Sequence, residues 1–125
     1  MPIVGERDPR QQAQSPAGVP RSAGFFVRAA LTSDIDPIKI IADDSRAELG
    51  FHTRDSFTEG VDRGEILVAV SSGAVAGFVR FHHTRAGHTT LREVATARAF
   101  RGRGIGRLLV LALLQQAREA GAGSI

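Results

Sequence analysis

The spacing of apolar positions changes along the chain, and each change marks a different element. Residues 1–24 hold few large apolar side chains and four of the five prolines (Pro2, Pro9, Pro16, Pro20), set among Gln, Ser, Gly and Arg. That composition predicts a flexible N-terminal tail, or an upstream start site read into the gene. Order is expected from Phe25, with a short strand over 25–29. Thr32, Ser33 and Asp34 offer helix-capping oxygens, and Pro37 is tolerable in a first helical turn. Ile35, Ile38, Ile41, Ala42 and Leu49 then trace one face of an amphipathic helix. A second short helix is expected over 54–59. Asp62-Arg63-Gly64 turns the chain into a buried strand at 66–70. Ser71-Ser72-Gly73 makes a hairpin turn into 75–82, and Arg85-Ala86-Gly87-His88 turns again into 89–96. Three strands joined by short turns predict an antiparallel meander. Farther on, Ile105, Leu108, Leu109, Ala112 and Gln116 mark one helical face, while Val110, Leu111, Leu113 and Leu114 carry apolar character round the rest. Such a helix is expected between two neighbours, the sheet being one. Gly121 reads as its cap, and 123–125 as the opening of another strand.

Between the last hairpin strand and that helix lies Arg101-Gly102-Arg103-Gly104-Ile105-Gly106-Arg107, with Arg98 just before it. This is a strand–turn–helix joint whose turn has almost no side chains. Backbone N–H groups at the positive end of a helix dipole form a ready anion site, and the arginines add charge-assisted donors. A diphosphate-bearing ligand follows. The P-loop spacing fails, because no Lys-Ser or Lys-Thr follows the glycines. The dinucleotide spacing fails too: the glycines run G-x-G-x-G, with Arg107 where the last glycine belongs.

The spacing that fits is the acyl-CoA signature Gln/Arg-x-x-Gly-x-Gly/Ala, met by Arg101, Gly104 and Gly106. Here the chain resembles the GNAT superfamily of acetyl-CoA-dependent N-acetyltransferases. Val94-Ala95-Thr96 is similar to the family's L-A-V strand end, Ala99-Phe100-Arg101-Gly102 to its D-Y-R-G, and Leu108-Leu109 to the L-L of the next helix. Upstream, Phe26-Val27-Arg28-Ala29-Ala30 with Asp34-Ile35 resembles the opening strand and helix start. Val75-Ala76-Gly77-Phe78-Val79 resembles the family's V-V-G-F-V strand. The ordered set covers about residues 25–125. It implies an α/β (α+β) fold: a mixed, mostly antiparallel sheet with helices on both faces. Residues 25–125 would be the N-terminal and central part of the domain, with the C-terminal strands missing. It also implies acetyl-CoA as co-substrate, held by the backbone of Val94, Ala95 and Thr96 and by the turn Arg101, Gly102, Arg103, Gly104, Ile105, Gly106 and Arg107.

Composition narrows the alternatives. A chain of 125 residues with 42% hydrophobic residues suits one globular domain. Without Cys there is no disulfide scaffold, thiol nucleophile or zinc cluster. The sequence lacks a membrane-length apolar run and a signal-peptide centre, so a soluble, cytoplasmic protein with no membrane partner is expected. The formal charge is +3, and every basic residue but Lys39 is Arg. That charge invites a nucleic-acid reading, but RNA readers lean on exposed aromatics, and Tyr and Trp are absent. No nucleic-acid partner is expected.

Acetyl transfer to an amine needs a base, alignment, oxyanion stabilisation and a proton for the departing thiolate. The resemblance implies direct attack, without an acyl-enzyme. Glu93 is the only carboxylate on the strand that enters the turn. It reads either as the general base, direct or through water, or as a strand carboxylate paired with Arg92 or Arg80. The resemblance implies a thiolate-protonating Tyr on a later helix, and this chain has no Tyr. His82 and His83 end a strand and point to opposite faces, so they do not ligate together, and no metal is expected. Either could be an alternative base, since imidazole changes charge near neutral pH. The serines lack a nucleophile-elbow context. The expected activity is N-acetylation of a small-molecule or protein amine. The alternative is a truncated, catalytically weak acyl-CoA-binding module. An uncovered leucine-rich helix and strand edge would also favour pairing into a homodimer.

Overall fold

The structure, a computed structural model, describes residues 21–22 and 24–119. The Gly121 cap, the strand expected at 123–125 and most of the 1–24 stretch lie outside the described residues. Strand pairing begins earlier than Phe25. Arg21–Ser22 (β1) pairs antiparallel with the start of Phe25–Ala29 (β2) around Gly24. The sheet then runs through Ile66–Ser71 (β3), Ala74–His83 (β4) and Thr89–Thr96 (β5), in the order β1-β2-β3-β4-β5, every pair antiparallel. The expected meander is its last three strands. Ser72 (φ 49) and Gly73 (φ 82) make the β3–β4 hairpin with two left-handed residues, which suits the right-handed twist of the strands.

Among the described residues four helices cover the sheet. Ile35–Asp44 (α1), Arg46–Leu49 (α2) and Arg54–Asp62 (α3) lie on one face, and Ile105–Glu119 (α4) on the other. On the first face Ile35, Ile38, Ile41 and Phe57 pack against Ile66, Val68, Val70, Phe78 and Ala95. On the second, Ile105, Leu108, Leu109, Ala112 and Leu113 pack against Phe25, Val27, Leu67, Ala69, Val79 and Phe81. The alternation of strand side chains thus splits the core in two.

Three local features refine the expected pattern. The helix expected to reach Leu49 breaks at Ser45 (φ −106, ψ 22), whose hydroxyl accepts from Arg101 at 3.3 Å. Of the three capping residues offered by the sequence, Asp34, 4% exposed, is the one at the N-cap of α1. Its carboxylate takes both terminal nitrogens of Arg28 (2.6 and 3.0 Å) and the N–H of Leu31 (2.7 Å). Finally, α4 has one covered face among the described residues. Leu111 is 42% exposed, and Val110 and Leu114 are half-buried.

Two irregularities shape the end of the sheet that carries the turn. The β4–β5 register slips between Arg80 and Phe81, so Arg92 bulges and Glu93 stands opposite Arg80. Gly77, opposite Thr96, has no room for a side chain: a Cβ there would meet Ala95 O at 2.8 Å and Ile105 Cγ2 at 3.0 Å. The first residue of α4 therefore seats directly on the sheet.

Candidate active site

The site is built around the C-terminal end of β5. After Thr96 the chain makes a short 3-10 turn, Arg98–Phe100, then the glycine turn, then α4. Gly102 (φ +81) and Gly104 (φ +76) take left-handed conformations that L side chains rarely adopt, and both face open space. The first amide of the helix to find a carbonyl is that of Leu108, on Gly104 O at 3.0 Å. Among the described residues, none of the amides from Gly102 to Arg107 donates to a backbone carbonyl. These unsatisfied donors, at the positive end of a fifteen-residue helix, suit a multiply charged anion.

The four arginines nearby divide into two pairs. Arg98 donates to Asp44 at 2.5 Å. Arg101 donates to Thr96 O at 3.3 Å and Ser45 Oγ at 3.3 Å, and reaches Asp44 at 3.5 Å. Both therefore tie the turn to the end of α1. Arg103 lies over the Phe100 ring, 5.7 Å from its centroid, and Arg107 is exposed. Neither has a carboxylate partner among the described residues.

The edge of β5 supplies a second set of backbone groups. Ala97 N–H donates to Ala76 O at 2.7 Å. In an antiparallel ladder that bond makes Ala95 and Glu93 the residues bonded to β4, and turns the N–H and C=O of Val94 and Thr96 to the opposite edge. Among the described residues no strand pairs there. The position of Gly106 is consistent with this layout: a Cβ on it would come within 4.0 Å of Val94 Cγ2. The outward edge of Val94 and Thr96 thus leads to the free amides of the turn.

Glu93 points to the face under α1–α3. Its side chain is 10% exposed, with Oε2 2.8 Å from His52 Nε2 and Oε1 3.7 Å from Arg80 Nη1. Arg80 is committed elsewhere as well, donating to Ser56 Oγ at 2.8 Å and Ser56 O at 3.3 Å. Three buried atoms in this cluster have no hydrogen-bond partner: Glu93 Oε1, His52 Nδ1 and Arg80 Nε. Arg80 is thus one of the two partners offered for Glu93 by the sequence. His52 was not foreseen, nor were Ser56 and Asp44, because each meets its partner only through the tertiary fold.

His82 and His83 do lie on opposite faces. His82 Nδ1 contacts Glu65 at 2.6 Å, and His83 Nδ1 contacts Thr89 Oγ1 at 2.6 Å. Both sit at the end of the sheet away from the glycine turn. Among the described residues no group of three or more His, Asp or Glu is placed to hold a metal ion. No helix among them is long and apolar enough to cross a membrane.

An antiparallel sheet thus lies between two helical layers, with an amide-rich turn after an open strand edge. The chain belongs to the acetyltransferase (GNAT) family, whose model matches residues 33–125. The search of curated proteins found no match. Among solved structures, Rv2747 from Mycobacterium tuberculosis, in complex with CoA, is 34% identical with a TM-score of 0.69. That match covers 75% of this chain and 58% of that one, so the chain spans little over half the length of that neighbour. The PaiA N-acetyltransferase from Thermoplasma acidophilum, in complex with coenzyme A, has a TM-score of 0.69 at 14% identity, covering 80% and 76% of the two chains. A ribosomal-protein-alanine N-acetyltransferase from Brucella melitensis has a TM-score of 0.67 at 24% identity, covering 78% and 69%. The last two are similar in fold.

Proposed function

We propose that this chain transfers the acetyl group of acetyl-CoA to an amine by direct attack, with Glu93 as the general base. The observation that carries the reading is the Glu93 carboxylate. It is nine-tenths buried on the strand that leads into the glycine turn, and one oxygen is left without a hydrogen-bond partner.

In this reading the amides of Gly102 to Arg107 hold the diphosphate, with Arg103 and Arg107 as the cationic side chains. Arg98 and Arg101 brace the turn instead. The pantetheine arm bonds the outward groups of Val94 and Thr96, where Arg101 already donates to the Thr96 carbonyl. The neutral amine attacks the thioester carbonyl carbon: a C–N bond forms and the carbonyl electron pair moves to oxygen. The amine's proton passes to Glu93 Oε1, directly or through a water. Collapse of the intermediate breaks the C–S bond, and the thiolate leaves as CoA with the proton that Glu93 accepted, returned through solvent, giving one N-acetyl amide per thioester consumed and a carboxylate ready for the next amine. Cytoplasmic residence and pairing into a homodimer remain part of the proposal.

The test is CoA release from acetyl-CoA, measured with a panel of free amino acids, polyamines, aminoglycosides and peptide N-termini. Parent turnover with one class, reduced at least ~100-fold by Glu93→Gln, is the expected result for a general base. Undiminished turnover by Glu93→Gln would sink the assignment. Tight acetyl-CoA binding with no turnover on any acceptor would favour the binding module.

A further inference from the structure

The inference concerns His52 and rests on the reading of Glu93 as the base. His52 comes from the loop between α2 and α3, and its ring lies beside Phe57 with centroids 5.6 Å apart and planes tilted by 31°. Its Nε2 faces Glu93 Oε2 at 2.8 Å, and its Nδ1 is buried without a partner. A carboxylate oxygen at that distance requires a donor, so Nε2 carries the hydrogen. A second hydrogen, on Nδ1, would be a buried donor with no acceptor. The tautomer that leaves Nδ1 bare therefore uses its one N–H on Glu93.

The other group facing the carboxylate does not replace this contact. Arg80 stands 3.7 Å from Oε1 and spends its two terminal nitrogens on Ser56. The carboxylate has a rotatable stem, and His52 Nε2, at 2.8 Å, is the nearer of its two ion-pair partners among the described residues. We infer that His52 is a positioning residue: its Nε2–H fixes Glu93 by Oε2, so that Oε1 is the oxygen left to receive the amine's proton. His52 itself touches neither coenzyme nor acceptor in this scheme, and with Nδ1 buried it is not a proton exit.

Two variants separate this from simple packing on Phe57. His52→Gln keeps an N–H near the Nε2 position, whereas His52→Phe keeps the ring and removes the donor. With the full chain in solution, the parent should show the Nε2–H tautomer of His52 by ring 15N shifts. The Glu93 carboxyl 13C line should stay single and sharp in the parent and in His52→Gln, and broaden or split in His52→Phe. For turnover with acetyl-CoA, His52→Phe should lose at least about tenfold in kcat with KM for acetyl-CoA unchanged, and His52→Gln should recover most of it. Parental carboxyl signal and kcat in His52→Phe would overturn the inference while leaving Glu93 as base, provided that Glu93→Gln is inactive. Full turnover by Glu93→Gln would overturn the base reading and this inference with it. An Nδ1–H tautomer in the parent would overturn the inference whatever the rates.

Discussion

At Gly104 the backbone is left-handed and nothing lies within 4 Å of the place a Cβ would take, so two costs of substitution can be separated there. Gly104→Ala adds only backbone strain. Gly104→Glu adds a negative side chain in the volume of the proposed diphosphate. Each N–H bond to a charged group contributes ~1.5–3 kcal/mol, so losing or opposing one is easily measured. Gly104→Glu should weaken CoA binding at least ~10-fold more than Gly104→Ala, or ~1.4 kcal/mol by calorimetry. Equal affinities for the two variants would remove the diphosphate from this turn. The arginines make a second test at the same scale. Arg103→Ala and Arg107→Ala should lower affinity for CoA but not for pantetheine, which lacks the diphosphate. Arg101→Ala should lower both and also reduce thermal stability, because its guanidinium joins Thr96, Ser45 and Asp44. The sequence offers Arg101 and Arg103 as equals; only the tertiary placement of Asp44 and Ser45 distinguishes them.

Element by element, what could be read in advance was what local spacing decides. The strands at Phe25–Ala29 and Thr89–Thr96 follow from alternation and flanking turns, and the left-handed glycines follow from a turn too tight for side chains. The break in the first helix at Ser45 did not, and the group its hydroxyl meets there, Arg101, is 56 residues away. The same holds for the His52–Glu93 contact: a lone His in a polar loop carries no local sign of the carboxylate it will meet. The parity of β5 lies between these cases. Alternation shows which side chains share a face, but the Ala97–Ala76 bond is needed to show which amides face outward. It predicts that the Val94 and Thr96 amides exchange quickly in the free protein and slow when CoA binds. Those of Glu93 and Ala95 should be protected throughout. The reverse pattern would place the arm elsewhere. Gly77 links sheet and helix in the same way. Gly77→Ala forces a Cβ against Ala95 O and Ile105, and should cost ~1–3 kcal/mol in urea denaturation while also weakening CoA binding. A stable variant with normal affinity would show that the seat of Ile105 on the sheet is dispensable.

Across the whole molecule the proposed chemistry lies along one line. The amides of the turn mark one end, the outward groups of Thr96 and Val94 the path, and Glu93, on the face under α1–α3, the other end. At about 3.4 Å per strand residue, Thr96 and Glu93 are roughly 10 Å apart along β5, a span that an extended pantetheine arm covers easily. The bulge at Arg92 and the register that sets Glu93 opposite Arg80 fix which face that end meets. The acceptor must then reach Glu93 on the side of the sheet that carries α1–α3. Pieces of the coenzyme should accordingly map to different residues. ADP, which has a diphosphate but no arm, should shift the amide signals of Gly102 to Arg107 alone. CoA should add those of Val94 and Thr96. Acetyl-CoA should further move the Glu93 carboxyl and the His52 ring, because only the acetyl end reaches them. If ADP and acetyl-CoA perturb the same residues to the same extent, the arm does not follow β5. Glu93 would then be a buried ion-pair partner of His52 and Arg80, and the base would have to be sought outside this cluster.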